Sequence, residues 1–155
     1  MNIRLAKIEE LNEIYMMGYD TWSYGASKKE YLAICQNSQK YKLGNWYILT
    51  NDKKDLLSAA IIYSSVFNIP NNFCGIGSIV TNPNFRKKGY ASKLINEICL
   101  FLEKRGIKGL YLYSDIGALF YKNLNFITLF EDKEICMLRL FNSLEEIPKN
   151  KPFYF

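Results

Sequence analysis

Residues 80–91 read VTNPNFRKKGYA, and this stretch decides how the chain folds. The apolar run before it predicts a strand over 73–81, which Pro83 ends because proline cannot donate a hydrogen bond to a sheet. The residues after it predict a helix over 90–105, with Gly106 just past its end. One face of that helix is an apolar stripe of Ala91, Leu94, Ile95, Ile98 and Leu102.

A further strand is predicted over residues 110–113, so the region 73–113 is predicted to be a β-α-β unit. Because such crossovers are right-handed, its two strands should be parallel. Outward from this unit we expect strands at 3–5, 46–49, 57–67 and 134–141, and helices at 8–17, from Ser27 (N-cap, with Glu30 completing a capping box) and near 118–124. The segment 148–155 is predicted to be irregular. The sequence therefore predicts an α/β (α+β) chain with a mixed sheet, forming a single domain over 1–155.

The composition excludes several classes of protein. At 155 residues, with 49% hydrophobic and 23% charged residues, the chain is long enough and apolar enough for one folded domain. It contains no histidine, which eliminates Ser-His-Asp and Cys-His nucleophile pairs and every histidine-bearing metal site. Any proton transfer must therefore use carboxylates, tyrosines, lysines, thiols or water.

Four cysteines, at positions 35, 74, 99 and 136, lie far apart with no C-x-x-C spacing. We predict buried thiols rather than disulfides or a zinc site, and no metal. No apolar run approaches the ~20 residues of a membrane-spanning helix, and the first residues lack a signal-peptide pattern. A cytoplasmic protein without membrane contact is the expectation.

The charge pattern points to a small anionic ligand. The net charge is +5, and the one dense cationic group is Arg86, Lys87 and Lys88. A nucleic-acid partner is not favoured, because such proteins show a broader basic face. The first amides of the following helix have no internal partner and, with the helix dipole, form a site suited to a pyrophosphate. The alternative is a surface loop with solvated lysines before a core helix.

A second motif, FYKNLNF at residues 120–126, follows in the chain. Together with TNP at 81–83 and RKKGYA at 86–91, it resembles the V-x-P-x-x-R/Q-x-x-G-x-G/A and F/L-Y-x-x-x-G-F patterns of the GNAT superfamily of acyl-CoA-dependent N-acyltransferases. Two departures from the family matter. Asn125 replaces a glycine, which is tolerated because asparagine also adopts the left-handed conformation, and Ser114 stands where relatives often have a cofactor-contacting asparagine.

The resemblance implies a GNAT-like, mostly antiparallel sheet flanked by helices, with a central β-α-β unit that binds acetyl-CoA as co-substrate. The cofactor would lie between strands that splay apart near Thr81 and Tyr113. The resemblance implies that the pantetheine arm contacts Ile79, Val80 and Thr81, that the pyrophosphate contacts Arg86, Lys87, Lys88, Gly89, Tyr90, Ala91 and Ser92, and that Ser114 occupies a further contact position.

Tyr121 falls on the family's tyrosine position, which implies a general acid for the leaving thiolate; the alternative is a core aromatic. The general base stays open among Asp115, Asp20, Tyr63 and Tyr113.

Trp22 and Tyr24 lie where the acceptor floor usually forms. The segment 20–25 with Tyr31 also resembles GNAT enzymes that acetylate free lysine, and equally these aromatics could cover the core.

The expected reaction is transfer of an acetyl group to a primary amine of a small molecule, an amino acid or a peptide or protein. The alternative is a non-catalytic module that binds acyl-CoA. A monomer and a homodimer are both compatible with the sequence.

Overall fold

The computed structural model describes residues 1–155, which form strands and helices in alternating blocks. The strands are β1 (Asn2–Leu5), β2 (Asn45–Thr50), β3 (Leu56–Tyr63), β4 (Phe73–Thr81), β5 (Gly109–Ser114), β6 (Ile127–Glu131) and β7 (Ile135–Leu140). The α-helices are α1 (Leu11–Met17), α2 (Tyr19–Trp22), α3 (Lys28–Asn37), α4 (Gln39–Lys42), α5 (Tyr90–Glu103) and α6 (Leu119–Lys122), with short 3-10 turns at Ile8–Glu10 and Pro83–Phe85.

The strands form one seven-stranded sheet in the order β1-β2-β3-β4-β5-β7-β6, flanked by helices. Strands β1 and β2, β5 and β7, and β6 and β7 are antiparallel, whereas β4 and β5 are parallel. This arrangement confirms the predicted mixed, mostly antiparallel sheet with a central β-α-β unit.

The chain divides into two compact units, and the first comprises Met1–Ile61 and Ser78–Leu94. Its core is apolar, with Ile14, Ile48, Leu49 and Leu94 at most 1% exposed. Helices α1 and α3 are joined by the Tyr31 hydroxyl, which donates to the Tyr15 carbonyl at 3.0 Å. The single domain predicted over 1–155 stays a prediction.

The second unit comprises Ile62–Gly77 and Ile95–Phe155. Its core is built on β5 and β7, where consecutive side chains are fully buried. From α5 it receives most of the predicted apolar stripe, with Cys99 as an additional member. The side chains at most 1% exposed include Leu110, Tyr111, Leu112, Cys136, Met137, Leu138, Ile95 and Ile98.

The predicted caps of three helices are confirmed by their geometry. Gly106 has φ +80°, and the N–H of Ile107 reaches back to the Leu102 carbonyl at 3.2 Å, which closes α5. Asn125 has φ +65° and closes α6 in the same way, so the asparagine is indeed tolerated where relatives carry glycine. Ser27 and Glu30 form the predicted capping box at α3.

The structure differs from the sequence prediction in several places, including the short helices α2 and α4, which were not predicted. Strand β3 ends at Tyr63, earlier than predicted, because Ser65, Phe67 and Asn68 all have positive φ and turn the chain out of the sheet. Strand β6 was not predicted. The segment 148–155 is irregular as predicted, but Phe155 is 5% exposed and packs against the second unit.

All four cysteines are free and buried, as predicted. None of the helices has both the length and the apolar character needed to cross a bilayer.

Candidate active site

The junction between β4 and α5 carries the predicted anion site. Strand β4 ends at Thr81, the Pro83–Phe85 turn follows, and α5 begins at Tyr90. The N–H of Lys93 donates to the Gly89 carbonyl at 3.0 Å, which is the first turn of the helical ladder. The amides of the residues before Lys93 therefore precede the ladder, as at any helix start, and can donate to an anion.

Two left-handed residues shape this loop, Lys87 with φ +60° and Gly89 with φ +78°. A Cβ built on Gly89 would meet no atom within 4 Å, so the space beside its backbone is open. The side chains of Lys87 and Lys88 are exposed. Open space, helix-start amides and two ammonium groups together fit a phosphate group.

Arg86 differs from its lysine neighbours because its side chain is already engaged. Its two terminal nitrogens donate to both carboxylate oxygens of Asp20, one of them at 2.8 Å. It also donates to the carbonyls of Met17 at 3.1 Å and Thr81 at 3.2 Å. This hydrogen bonding raises the pKa of Arg86 and lowers the pKa of Asp20. The sequence grouped Arg86 with Lys87 and Lys88 as cations for an anionic ligand, whereas in the structure the Arg86 side chain ties the loop to the α1–α2 region.

The last residues of β4 are held on one side by β3. The Ser58 hydroxyl donates to the Val80 carbonyl at 2.7 Å, and the Asn82 amide group donates to the Leu56 carbonyl at 3.1 Å. Immediately before Ile79, Ser78 has φ +46° and interrupts the regular strand. Sequence reasoning missed this irregularity, since a serine within an apolar run carries no signal for it.

In the second unit, Tyr121 lies on α6 with its ring at 5.0 Å from the Phe120 ring and 5.9 Å from the Phe126 ring. The residue is 8% exposed. Burial, and to a lesser extent the negative charge of Asp115, raise the pKa of Tyr121 to about 12. Its hydroxyl is therefore protonated throughout the neutral and mildly alkaline range.

Ser114 ends β5, and its hydroxyl is used within its own turn. It donates to the Gly117 carbonyl and accepts from the Ile116 N–H at 3.3 Å. A hydroxyl engaged in this way has little capacity left for a cofactor.

An acidic cleft of about 590 Å³ lies beyond the end of β5. Four carboxylates and one ammonium group belong to its lining, which comprises Ser114, Asp115, Gly117, Glu131, Asp132, Lys133, Glu134, Ile135 and Tyr154. Although the chain as a whole is basic, this cleft is negative and suits a cationic ligand. The sequence did not predict this cleft, because part of it is formed by the β6–β7 turn and β6 itself was not predicted.

The four candidate bases lie in different environments. Asp20 is paired with Arg86, and the Tyr63 side chain is fully buried. The Tyr113 hydroxyl donates to the Pro152 carbonyl, and burial raises the pKa of Tyr113. Asp115 is exposed and accepts from the Tyr154 hydroxyl at 3.3 Å.

The two aromatics predicted at the acceptor floor behave differently. The Trp22 ring is half-buried and lies directly against Gly18, where a Cβ would clash with it. Tyr24 is 92% exposed and has φ +48°. Trp22 therefore has a packing role, and Tyr24 projects into solvent.

These features agree with the comparison against protein families, in which the acetyltransferase (GNAT) family matches residues 8–126. The chain belongs to this family. A search of the curated proteins finds no match in sequence.

Solved structures of acetyltransferases share the fold of this GNAT protein at low identity. One is a GNAT family acetyltransferase from Brucella melitensis in complex with acetyl-CoA (19% identity, 99% of this chain and 95% of that chain covered, TM-score 0.68). Another is a spermidine N-acetyltransferase SpeG chimera from Vibrio cholerae and hSSAT (15%, 90% and 96%, TM-score 0.67). A third is the ribosomal-protein-S18-alanine N-acetyltransferase from Escherichia coli (17%, 98% and 99%, TM-score 0.64). At these identities the likeness establishes the fold.

Proposed function

We propose that the protein is an acetyl-CoA-dependent N-acetyltransferase that acetylates a primary amine by direct attack. The observation that carries this proposal is the β4–α5 junction, where Lys87 and Gly89 hold left-handed backbone beside open space at the start of a 14-residue helix. Such a junction suits an anion, and membership of the GNAT family supports the proposal that this anion is the pyrophosphate of coenzyme A.

Under this proposal the pyrophosphate contacts the loop and first helical turn, Lys87 to Ser92. The pantetheine arm adds alongside the backbone of Ile79, Val80 and Thr81, which β3 already fixes from the other side. Arg86 holds the loop in place and does not contact the phosphate, since its guanidinium already donates to Asp20 and to two backbone carbonyls.

Acetyl-CoA supplies an acetyl group activated as a thioester, and Tyr121 is the proposed donor to the leaving sulfur. With a pKa of about 12, the Tyr121 hydroxyl is a poor acid toward a thiolate, because an ordinary thiol has a pKa of about 8.5. Complete transfer from Tyr121 alone would be uphill by about 3–4 pKa units. We therefore assign Tyr121 a hydrogen bond to the developing thiolate, with the amine's own proton completing the exchange.

Asp115 is the proposed base, acting through water. An amine with a pKa of about 10.4 is almost entirely protonated at pH 7 and needs a proton acceptor before it can attack. Among the four candidates, Asp115 is the exposed carboxylate that has no ion pair and also acts electrostatically on Tyr121. The surrounding acidic cleft favours an acceptor that carries positive charge, whether a small molecule, an amino acid or a peptide.

A thiol-release assay with acetyl-CoA against a panel of small amines, amino acids and peptides tests this function. Calorimetry in parallel should show stabilisation of about 2.7 kcal/mol at a ligand concentration 100 times the dissociation constant. Binding without turnover on every amine would favour the non-catalytic acyl-CoA module. The absence of any stabilisation by millimolar acetyl-CoA would overturn both functions.

A further inference from the structure

The parallel pairing of β4 and β5 ends early. Phe73 pairs with Gly109, Cys74 with Leu110 and Gly75 with Tyr111, after which β4 continues to Thr81 and β5 to Ser114. Gly75 and Tyr111 therefore mark the closed end of the opening between the two strands. Beyond Gly75 and Tyr111 the two strands have no further paired residues.

The side chain of Phe155 covers this closed end. A Cβ at Gly75 would lie 2.6 Å from Cζ of Phe155, so the ring rests directly on the strand backbone where the pairing stops. On the β5 side, its ring centre is 5.4 Å from that of Tyr113 at an interplanar angle of 84°. Phe155 is 5% exposed.

Several contacts fix Phe155 in place from its own segment. The Phe153 N–H donates to the Phe67 carbonyl at 2.7 Å, and the Asn68 side chain donates to the Lys151 carbonyl at 3.1 Å. Tyr113 donates to the Pro152 carbonyl. Phe67 and Asn68 both hold left-handed backbone, so the turn after β3 adopts an unfavourable conformation where it receives this segment.

We propose that Phe155 limits the length of the acyl group that the enzyme accepts. The inference rests on the proposed function: with the pyrophosphate at 87–92 and the pantetheine arm along 79–81, the acyl group points back along β4 toward Gly75. The Phe155 ring closes that direction. An acetyl group then fits, whereas a longer chain meets the ring.

The test compares the affinities of acetyl-CoA and hexanoyl-CoA for the parent protein, Phe155→Leu and Phe155→Ala by calorimetry. One methylene that a pocket cannot accommodate changes affinity or rate by about 10-fold or more. Because the longer hexanoyl chain meets the Phe155 ring, the parent should bind acetyl-CoA at least about 10-fold more tightly than hexanoyl-CoA. Both variants should reduce or reverse this preference. Phe155→Leu retains an apolar side chain and keeps the test interpretable if the alanine variant fails to fold. Phe153→Ala is the matched control, because its side chain is 66% exposed in the same segment, and it should keep the parent's preference.

Each outcome has one meaning. If the parent prefers acetyl-CoA and the folded Phe155 variants accept hexanoyl-CoA while Phe153→Ala does not, Phe155 sets the acyl length. If the parent binds acetyl-CoA but the Phe155 variants keep its preference, or the parent already binds both donors equally, the length limit is wrong and the proposed function stands. If the parent binds no acyl-CoA, the proposed function is wrong, and the proposed limit on acyl length is wrong as well.

Discussion

Arg86 and Asp20, 66 positions apart in sequence, form a two-point ion pair that ties the start of the candidate phosphate loop to helix α2. Arg86 could act as a brace for the loop or as a ligand of the phosphate. The two roles predict opposite effects of removing Asp20's charge on the affinity for coenzyme A. If Arg86 is a brace, both Arg86→Gln and Asp20→Asn should loosen the loop, because each removes the ion pair. If Arg86 is a phosphate ligand, Asp20→Asn should release its guanidinium to bind the phosphate.

We expect both variants to lower affinity for coenzyme A by a similar factor, about 3- to 10-fold, because each loosens the loop without removing a phosphate contact. Calorimetric titration with coenzyme A at two salt concentrations measures this. Tighter binding by Asp20→Asn, with a large loss in Arg86→Gln, would show that Arg86 contacts the phosphate directly. Glu13→Gln, which removes an exposed carboxylate of the same unit that is not paired with Arg86, serves as the control.

Gly89→Val should reduce affinity for coenzyme A by well over 10-fold. The added side chain enters the open space beside the loop and forces valine into a left-handed conformation that costs about 1–2 kcal/mol. Gly25→Val is a matched control, since Gly25 also has a positive φ and a Cβ added to it would meet no atom within 4 Å. Equal losses of affinity in the two variants would mean that backbone strain alone explains the effect. A pantetheine fragment without phosphates should bind both variants as it binds the parent.

Tyr121→Phe should lower kcat by about 10²- to 10³-fold while leaving acetyl-CoA affinity nearly constant, because it removes the hydrogen bond to the developing thiolate and keeps the packed ring. The pH profile gives an independent check. Since burial raises the pKa of Tyr121 to about 12, we expect its deprotonation to cause no loss of rate between pH 8 and 10. Tyr31→Phe is the control: it removes another buried hydroxyl, which costs about 1–2 kcal/mol of stability but no activity. Parent-like turnover by Tyr121→Phe would identify Tyr121 as a packing residue.

The decrease in the free energy of unfolding at low pH should depend on Glu10. The Arg4 guanidinium donates two hydrogen bonds to its carboxylate, and this contact lowers the pKa of Glu10 from 4.5 to about 2. Because the pKa is lowered in the folded state, the contact stabilises the fold fully when the pH is above the ordinary pKa of 4.5. This stabilisation is lost as the pH falls from about 4.5 toward 2. Glu10→Gln should therefore cost about 1 kcal/mol at pH 7 and almost nothing near pH 2. Denaturant unfolding at both pH values measures this, with the exposed Glu13→Gln expected to be neutral at both.

The predictable part of the fold is the part with local signals. The strand before Pro83, the apolar stripe of α5 and the cap at Gly106 each depend on a few neighbouring residues, and all three were confirmed. The phosphate loop belongs to the same class, because its glycine and its lysines are adjacent in sequence.

The unpredicted part depends on contacts between distant residues. The Arg86–Asp20 pair and the packing of Phe155 on Gly75 join segments far apart in the chain, and irregular segments have no periodicity to reveal what they cover. Strand β6 is short and mostly half-exposed, without the alternation of buried and exposed residues that marks a strand, so the acidic cleft at its turn could not be foreseen.

The four buried cysteines bear on how activity can be measured. Burial raises the pKa of each thiol, so the folded protein offers almost no thiolate to a disulfide or maleimide reagent. Colour developed by such a reagent during turnover therefore reports released coenzyme A with little protein background. In a protein solution without substrate, the same reagent reports opening of the fold: Cys35 labels only when the first unit opens, and the other three cysteines only when the second does.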